Sequence, residues 1–450
     1  MAKRESFERT AIRIALPVTL QCLLQSSFSV IDQVMIGKLG KYSIAGIGLG
    51  GKFASLYSVV LGAIAAAAGI MISQYLGRKD EEAVGRSFFS NMILSIGLAV
   101  LFLILCIAVP QTIMGIYTKD EAARMLAADY IRILALSFVP MAVSSIVTTM
   151  LRCMEVATLP LYASIFALVL NTGLNYMLIF GKWFFPKMGV EGAAWATVIA
   201  QTVSCFIILI FFNMYCKKQK IHLPMHWKQK NDNKGEYWKQ YIGILCPILI
   251  CEFLWSLGEN VYAIIYGNMG TDPCAAMTMT IPVQTLMIGA LSGLSQAAAI
   301  LIGKSLGGKQ YERAYKDSKK LTKYGFAGSL CLSVILVVVA SVYVKIYSVE
   351  PALQEMTRNI LIVFAIVSPV KVMNMILGGG IIRSGGKTKY VMWIDIIGTW
   401  LFGVPLGLLA AFVWKLPIEY TYFILSMEEC VRLGISFVIF KKRIWMESLQ

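Results

Sequence analysis

A carboxylate, two amides and a hydroxyl occupy positions from which they could bind one ion together. Asp32 lies in an apolar run near several serines, where a charged group is costly and is a functional hypothesis by default. Asn171 and Asn175 are four residues apart, so they would share one face of a helix. With Asp32 and the hydroxyl of Thr197, they predict either a proton-gated hydrogen-bond network or an oxygen cage for Na⁺. Polar contact that only holds helices together is the alternative.

A second group of polar side chains lies in the other half of the chain. Glu252, Trp255 and Glu259 are spaced three and four residues apart, and therefore along one helix face. A buried glutamate with an aromatic ring one turn away would hold a lipophilic cation by charge and by cation–π contact. Alternatively, Glu259 has a structural role and pairs with a side chain of another helix. Gln284 is a further polar candidate for the same cleft.

Five more ionisable residues fall inside apolar stretches. Lys371 and Asp395 are single charges, and because an unpaired buried charge is expensive, we expect Lys371 to neutralise Glu252 or Asp395. Glu428, Glu429 and Arg432 lie on one helical turn, where a carboxylate–arginine pair that stabilises the last helix is the simpler interpretation.

The elements that position these residues are membrane helices. Of the 450 residues, 58% are hydrophobic and only 15% charged, whereas soluble chains have about 45–50% and about 25%. This composition excludes a soluble globular enzyme, and nothing shows the alternation of an outer-membrane barrel. We predict an all-α integral membrane protein with twelve transmembrane helices: 14–36, 44–74, 88–110, 129–151, 159–181, 192–216, 241–268, 275–303, 322–347, 359–382, 389–411 and 418–440.

The basic residues follow the topology expected of such a protein. Most of the 41 Lys and Arg residues lie at the termini or in alternate loops, which include 217–239, 304–323, 383–389 and the position of Arg152. By the positive-inside rule, both termini and the long middle loop face the cytoplasm of a plasma (inner) membrane. The net charge of +16 therefore reflects topology, and no nucleic-acid partner is expected.

The chain contains two copies of one pattern. Pro247 follows Pro17 by 230 positions, and Gly270 follows Gly40 by the same interval. Such self-similarity at a fixed spacing indicates a structural repeat, and two six-helix repeats of like orientation are a transporter arrangement. We predict two pseudo-symmetric lobes, 1–216 (TM1–6) and 241–440 (TM7–12), joined by a basic cytoplasmic linker at 217–240 and followed by a cytoplasmic tail at 441–450.

Several stretches resemble the multidrug and toxic compound extrusion (MATE) family, within the MOP flippase superfamily. They are Asp32–Gly40, Gly69–Asp80, Leu151–Arg152, Asn171–Gly181 and Gly189–Thr197. This part of the sequence resembles the DinF-like members of the family, which have an Asp in the first helix. Their fifth helix has an Asn followed four residues later by an Asp. Asn171 fits that pattern, while Asn175 stands in place of the second Asp. The resemblance adds Tyr130 as a further partner, and the glutamate of NorM-like members would align with Trp255, so Glu252 matches it by helix face only.

This resemblance implies a cation-coupled efflux antiporter for amphipathic, often cationic, drug-like compounds. In that mechanism Asp32 releases H⁺ or Na⁺ to the cytoplasm and reloads from outside, while two lobes alternate in access. No ATP-binding loop of the GxxxxGK[ST] kind is present, and we expect no cofactor, no metal other than Na⁺, and a monomer in contact with membrane lipids. The alternative is a flippase for lipid-linked oligosaccharides, which would need a strongly cationic cavity. A membrane-embedded enzyme is disfavoured because no catalytic constellation occurs.

Overall fold

The computed structural model describes residues 7–183, 185–221, 234–346 and 350–449, and no β-strand occurs among them. The described residues of the first half form eight α-helices. They are α1 (Phe7–Gly37), α2 (Lys41–Arg78), α3 (Glu81–Ala108), α4 (Pro110–Tyr117), α5 (Glu121–Leu134), α6 (Phe138–Cys153), α7 (Thr158–Phe180) and α8 (Gly189–Gln219).

The second half, over its described ranges, forms eight more α-helices, several of them continued by π-helical turns. They are α9 (Lys234–Met269), α10 (Thr271–Gly307), α11 (Tyr311–Tyr343), α12 (Pro351–Asn374), α13 (Thr388–Asp395), α14 (Val404–Leu408), α15 (Ile418–Ser426) and α16 (Glu428–Lys441). The π-helical turns lie at Met375–Ile382, Ile396–Gly403 and Leu409–Val413. Such turns often mark functional sites, and the first two adjoin Asn374 and Asp395.

All twelve predicted spans are helical over most of their described residues. Within the described part of the chain, eleven helices are long and apolar enough to cross a membrane. The twelfth, 418–440, is divided at Met427 into α15 and α16, of 9 and 14 residues, so neither piece alone is long enough to span. The short helix α4 was not predicted; Pro110 begins it, and proline is well tolerated in the first turn of a helix.

The repeat is visible in the backbone. Lys79 and Lys309, which are 230 positions apart, both adopt a left-handed φ, of 61° and 56°. Gly40 and Gly270 form another such pair, with φ of 90° and 135°, values that glycine adopts without steric cost. The two halves therefore turn their helix ends in the same way.

The described chain forms two compact units. Residues 7–19, 73–79 and 234–449 form one unit, and residues 20–72 and 80–221 form the other. In the second of these, Tyr57 stacks on Phe138 with ring centroids 4.2 Å apart and donates a hydrogen bond to its carbonyl. The first has its own core around Tyr262, Phe364 and Tyr422. The proposed lobe boundary at 217–240 stays a prediction, because residues 222–233 lie outside the described chain.

Candidate functional site

The amide and carboxylate side chains predicted to cluster in the first half are joined by hydrogen bonds. Asn175 Nδ2 donates to Asp32 Oδ1 at 2.9 Å and to Asn171 Oδ1 at 3.2 Å. Asn171 Nδ2 donates to Thr197 Oγ1 at 3.4 Å, and that hydroxyl donates to the carbonyl of Ala193 at 3.1 Å. A continuous polar chain therefore runs from α1 through α7 to α8.

This polar network contains one buried side-chain oxygen without a hydrogen-bond partner among the described residues. It is the Oδ1 of Asn175, a residue that is 4% exposed. Asp32 is half-buried. If the Asn175 amide turned over, a protonated carboxyl of Asp32 could donate a hydrogen bond to that oxygen. Na⁺ could also bind the same oxygen, since hard cations bind carboxylate and amide oxygens. The arrangement can therefore hold either ion.

Tyr130 lies near this cluster. Its hydroxyl is within electrostatic range of Asp32, and its ring packs on Gly50, where a Cβ atom would come within 2.6 Å of the ring. Gly50 thus allows α2 and α5 to approach closely enough to position the tyrosine near the carboxylate.

The second half encloses a cavity of about 280 Å³. It is lined by aromatic and charged side chains together with apolar ones. Among the lining residues are Glu259, Tyr262, Tyr266, Gln284, Lys371, Tyr422, Glu428 and Glu429. Three glutamates and one lysine line this cavity, so its lining is acidic, and its tyrosine rings offer faces to a cation.

Three of the six residues predicted for this cleft line the cavity, namely Glu259, Gln284 and Lys371. Glu252, Trp255 and Asp395 do not line it, and Trp255 is 48% exposed. Sequence reasoning missed Tyr262, Tyr266 and Tyr422 as cavity residues. Extending the helical spacing of Glu259 by three and seven positions would have found the first two.

The ion pairs of the second half differ from those predicted. Lys371 Nζ lies 3.9 Å from Glu429 Oε1, so the expectation that it neutralises Glu252 or Asp395 is wrong. Asp395 Oδ1 lies 3.6 Å from Arg432 Nη1, and its Oδ2 accepts from Cys251 at 2.6 Å.

Glu252 pairs instead with Arg383, at 3.2 Å between Oε1 and Nη1. The error arose because Arg383 was counted as a solvated loop charge, whereas its side chain turns back into the protein. Glu428 and Glu429 lie 3.9 and 4.0 Å from Arg432, the carboxylate–arginine pairing expected for the last helix.

Tyr262 is the counterpart of Asp32, 230 positions later. Its hydroxyl donates to Glu428 Oε2, next to Gly403, where any side chain would collide with both groups. The two halves therefore place a polar cluster at the same level of their first helix, built from amides in one and from a tyrosine and a glutamate in the other. No group of three His, Cys, Asp or Glu side chains suited to a metal ion occurs within the described ranges.

Comparison with known proteins agrees with this architecture. The MatE family model matches the chain over residues 17–177 and again over 247–409, once in each half. The uncharacterized transporter YisQ of Bacillus subtilis is 23% identical over 442 residues, or 96% of this chain and 94% of that protein. A probable multidrug resistance protein NorM of Thermotoga maritima is 24% identical over 429 residues, or 89% and 87% of the two chains.

The fold has a counterpart among solved structures. An outward-facing multidrug resistance MATE family transporter of the MOP superfamily superposes with a TM-score of 0.87 at 17% identity, covering 98% of this chain and 96% of the other. This likeness confirms the all-α fold with twelve membrane spans in two lobes. Since the family match covers well over half of the residues, once in each repeat, the chain belongs to the MatE family.

Proposed function

We propose that this protein is a secondary active efflux antiporter that exports amphipathic, often cationic, organic compounds in exchange for H⁺ or Na⁺. The name of the NorM relative, a probable multidrug resistance protein, supports drug-like substrates. Placement in the DinF-like branch, on Asp32 and Asn171, is part of the proposal. The protein would lie in the plasma membrane with both termini cytoplasmic and would work as a monomer.

The observation that carries the proposal is the hydrogen-bonded chain from Asp32 to Thr197. A coupling site must hold one cation and release it. Asp32 is the one carboxylate in this series of hydrogen-bonded side chains. When a proton or Na⁺ binds Asp32, the acceptor of the Asn175 amide changes, and the contacts among α1, α7 and α8 must rearrange. Substrate and ion then favour different arrangements of the helices, which couples their fluxes.

The cavity of the second half is the proposed substrate site. Its three glutamates outnumber Lys371, and Tyr262, Tyr266 and Tyr422 can stack on an aromatic cation. An acidic, aromatic cavity suits an organic cation better than the pyrophosphate of a lipid-linked sugar. This difference favours drug efflux over the flippase alternative.

Reconstituted transport tests the proposal. Proteoliposomes are loaded with a fluorescent organic cation, and its efflux is followed under an imposed pH gradient and, separately, under an imposed Na⁺ gradient. Wild type is compared with Asp32→Asn and with Asp272→Asn, an equivalent change at an exposed position in the first turn of α10.

We expect one gradient to drive efflux by wild type and by Asp272→Asn but not by Asp32→Asn, and the effective gradient identifies the coupling ion. Efflux that survives in Asp32→Asn would refute the assigned coupling site. Absence of efflux from correctly inserted wild type under both gradients, together with movement of a fluorescent lipid-linked sugar between leaflets, would replace the antiporter with the flippase.

A further inference from the structure

Arg152 lies at the end of α6 with its guanidinium directed into the protein. Its Nη2 donates to Gln21 Oε1 at 2.8 Å, and Gln21 Nε2 donates in turn to Ser164 Oγ at 2.7 Å. Its Nε is buried with no hydrogen-bond partner among the described residues. A guanidinium has five N–H donors, and no carboxylate of the described chain forms an ion pair with this one.

The repeat provides an internal comparison for this site. Arg383 follows Arg152 by 231 positions, and Cys251 follows Gln21 by 230. Arg383 Nη2 lies 3.2 Å from Cys251 Sγ, and Cys251 donates to Asp395 just as Gln21 donates to Ser164. The same three-residue connection is therefore built twice, once in each half.

The two copies differ in their negative charges. The second copy holds Glu252, 3.2 Å from Arg383, and the carboxylate of Asp395. Their counterparts in the first copy are the neutral side chains of Cys22 and Ser164. Both carboxylates of the site are thus missing from the first copy, while the arginine is kept.

We infer that Arg152, with Gln21 and Ser164, forms a binding site for a single anionic group, a carboxylate or a phosphate. Arg152 is partly buried, its Nε is fully buried, and it has no counterion among the described residues, which is expensive; carboxylate and phosphate oxygens both match its paired donors. Gln21 precedes Asp32 by 11 residues, which corresponds to about 16 Å along α1, so the site is separate from the proposed coupling site. The anion can come from a small organic acid or from the headgroup of an acidic lipid.

Supplying the missing carboxylate tests this inference without removing the arginine. Cys22→Glu reproduces Glu252 of the second copy, Ser164→Asp reproduces Asp395, and Cys22→Gln is the neutral control of matching length. Detergent-purified protein is titrated with sodium benzoate and, in a separate experiment, with sodium phosphate. Each salt replaces sodium chloride at constant ionic strength, and the melting temperature is recorded. Copurifying phosphatidylglycerol is measured by native mass spectrometry in a second arm.

We expect benzoate or phosphate to raise the melting temperature of wild type and of Cys22→Gln, with an apparent Kd at least tenfold weaker in Cys22→Glu. If Cys22→Glu fails to fold, Ser164→Asp serves the same purpose. Loss of bound phosphatidylglycerol only in the carboxylate variants would identify the lipid headgroup as the source. Equal responses of wild type and both carboxylate variants to all three probes would overturn the site and leave Arg152 a structural role. None of these measurements requires transport, so the outcome is independent of the antiporter proposal.

Discussion

Gly77 and Gly307, which are 230 positions apart, contact each other's helices reciprocally. A Cβ atom on Gly77 would collide with the carbonyl of Lys304 in α10, and one on Gly307 would collide with the carbonyl of Gln74 in α2. Lys304 is itself the counterpart of Gln74 in the repeat. The backbones of α2 and α10 are therefore in contact where these helix ends cross, and the contacting residues occupy equivalent positions in the two repeats.

Substituting either glycine with alanine should destabilise this crossing. Because the colliding atoms belong to backbone, they cannot move aside as a flexible side chain would, and we expect Gly77→Ala and Gly307→Ala each to cost about 1–3 kcal/mol. The melting temperature of purified protein measures the effect. Gly97→Ala is the control, since a Cβ there meets nothing within 4 Å, and an equal loss in all three variants would contradict the assigned cause.

The C-terminal tail is bound to the same end of α2. Gln74 is fully buried; its Nε2 donates to the carbonyl of Ser384 at 2.6 Å, and its Oε1 accepts from the Leu449 amide at 2.7 Å. The tail predicted as a separate segment at 441–450 therefore packs against this end of α2 through Leu449, and Trp445 is also buried, while 441–444 and Glu447 stay exposed.

Removing the tail after Lys442 should lower stability even though it deletes only eight residues. Gln74 Oε1 would lose its donor, and an unsatisfied buried polar group costs about 1–3 kcal/mol. The melting temperature of the truncated protein is compared with that of Glu447→Gln, which removes only a partly exposed ion pair with Lys387 and should change little. A truncated protein as stable as wild type would show that these contacts contribute nothing.

The sequence predicted the helices from local spacing, the repeat from a fixed interval of 230 residues, and the pairing of Asn171 with Asn175 from the helical period. Asn171 and Asn175 had to share a helix face, and the repeat register could be read from Pro17 and Pro247. The ion pairs of the second half were not predictable in this way. Whether Glu252 pairs with Lys371 or Arg383 depends on which helices are neighbours and on how far a long side chain reaches back from a helix end. The spacing of residues along one helix gives no information on either.

A double-mutant cycle distinguishes the observed partner of Glu252 from the predicted one. Glu252→Gln and Arg383→Gln should be coupled by about 1–3 kcal/mol, because their charges lie in contact. Glu252→Gln and Lys371→Met should be additive within about 0.5 kcal/mol, since Lys371 pairs with Glu429. Unfolding stabilities of the single and double variants provide both values, and the opposite pattern would restore the pairing expected from sequence.

A direct test of the Asp32 cluster is to add a second carboxylate to it. In Asn175→Asp, the amide nitrogen that now donates to Asp32 at 2.9 Å becomes a second carboxylate oxygen. Two facing carboxylates repel each other unless a cation lies between them, so Na⁺ should bind about tenfold more tightly, or by ~1.4 kcal/mol. The Na⁺ dependence of the melting temperature at constant ionic strength measures this affinity. Asn268→Asp adds the same charge at an exposed position of α9 and should leave the affinity unchanged, and combining Asn175→Asp with Asp32→Asn should abolish the gain. If Asn175→Asp binds Na⁺ no better than Asn268→Asp, the cluster does not hold a cation between these two side chains.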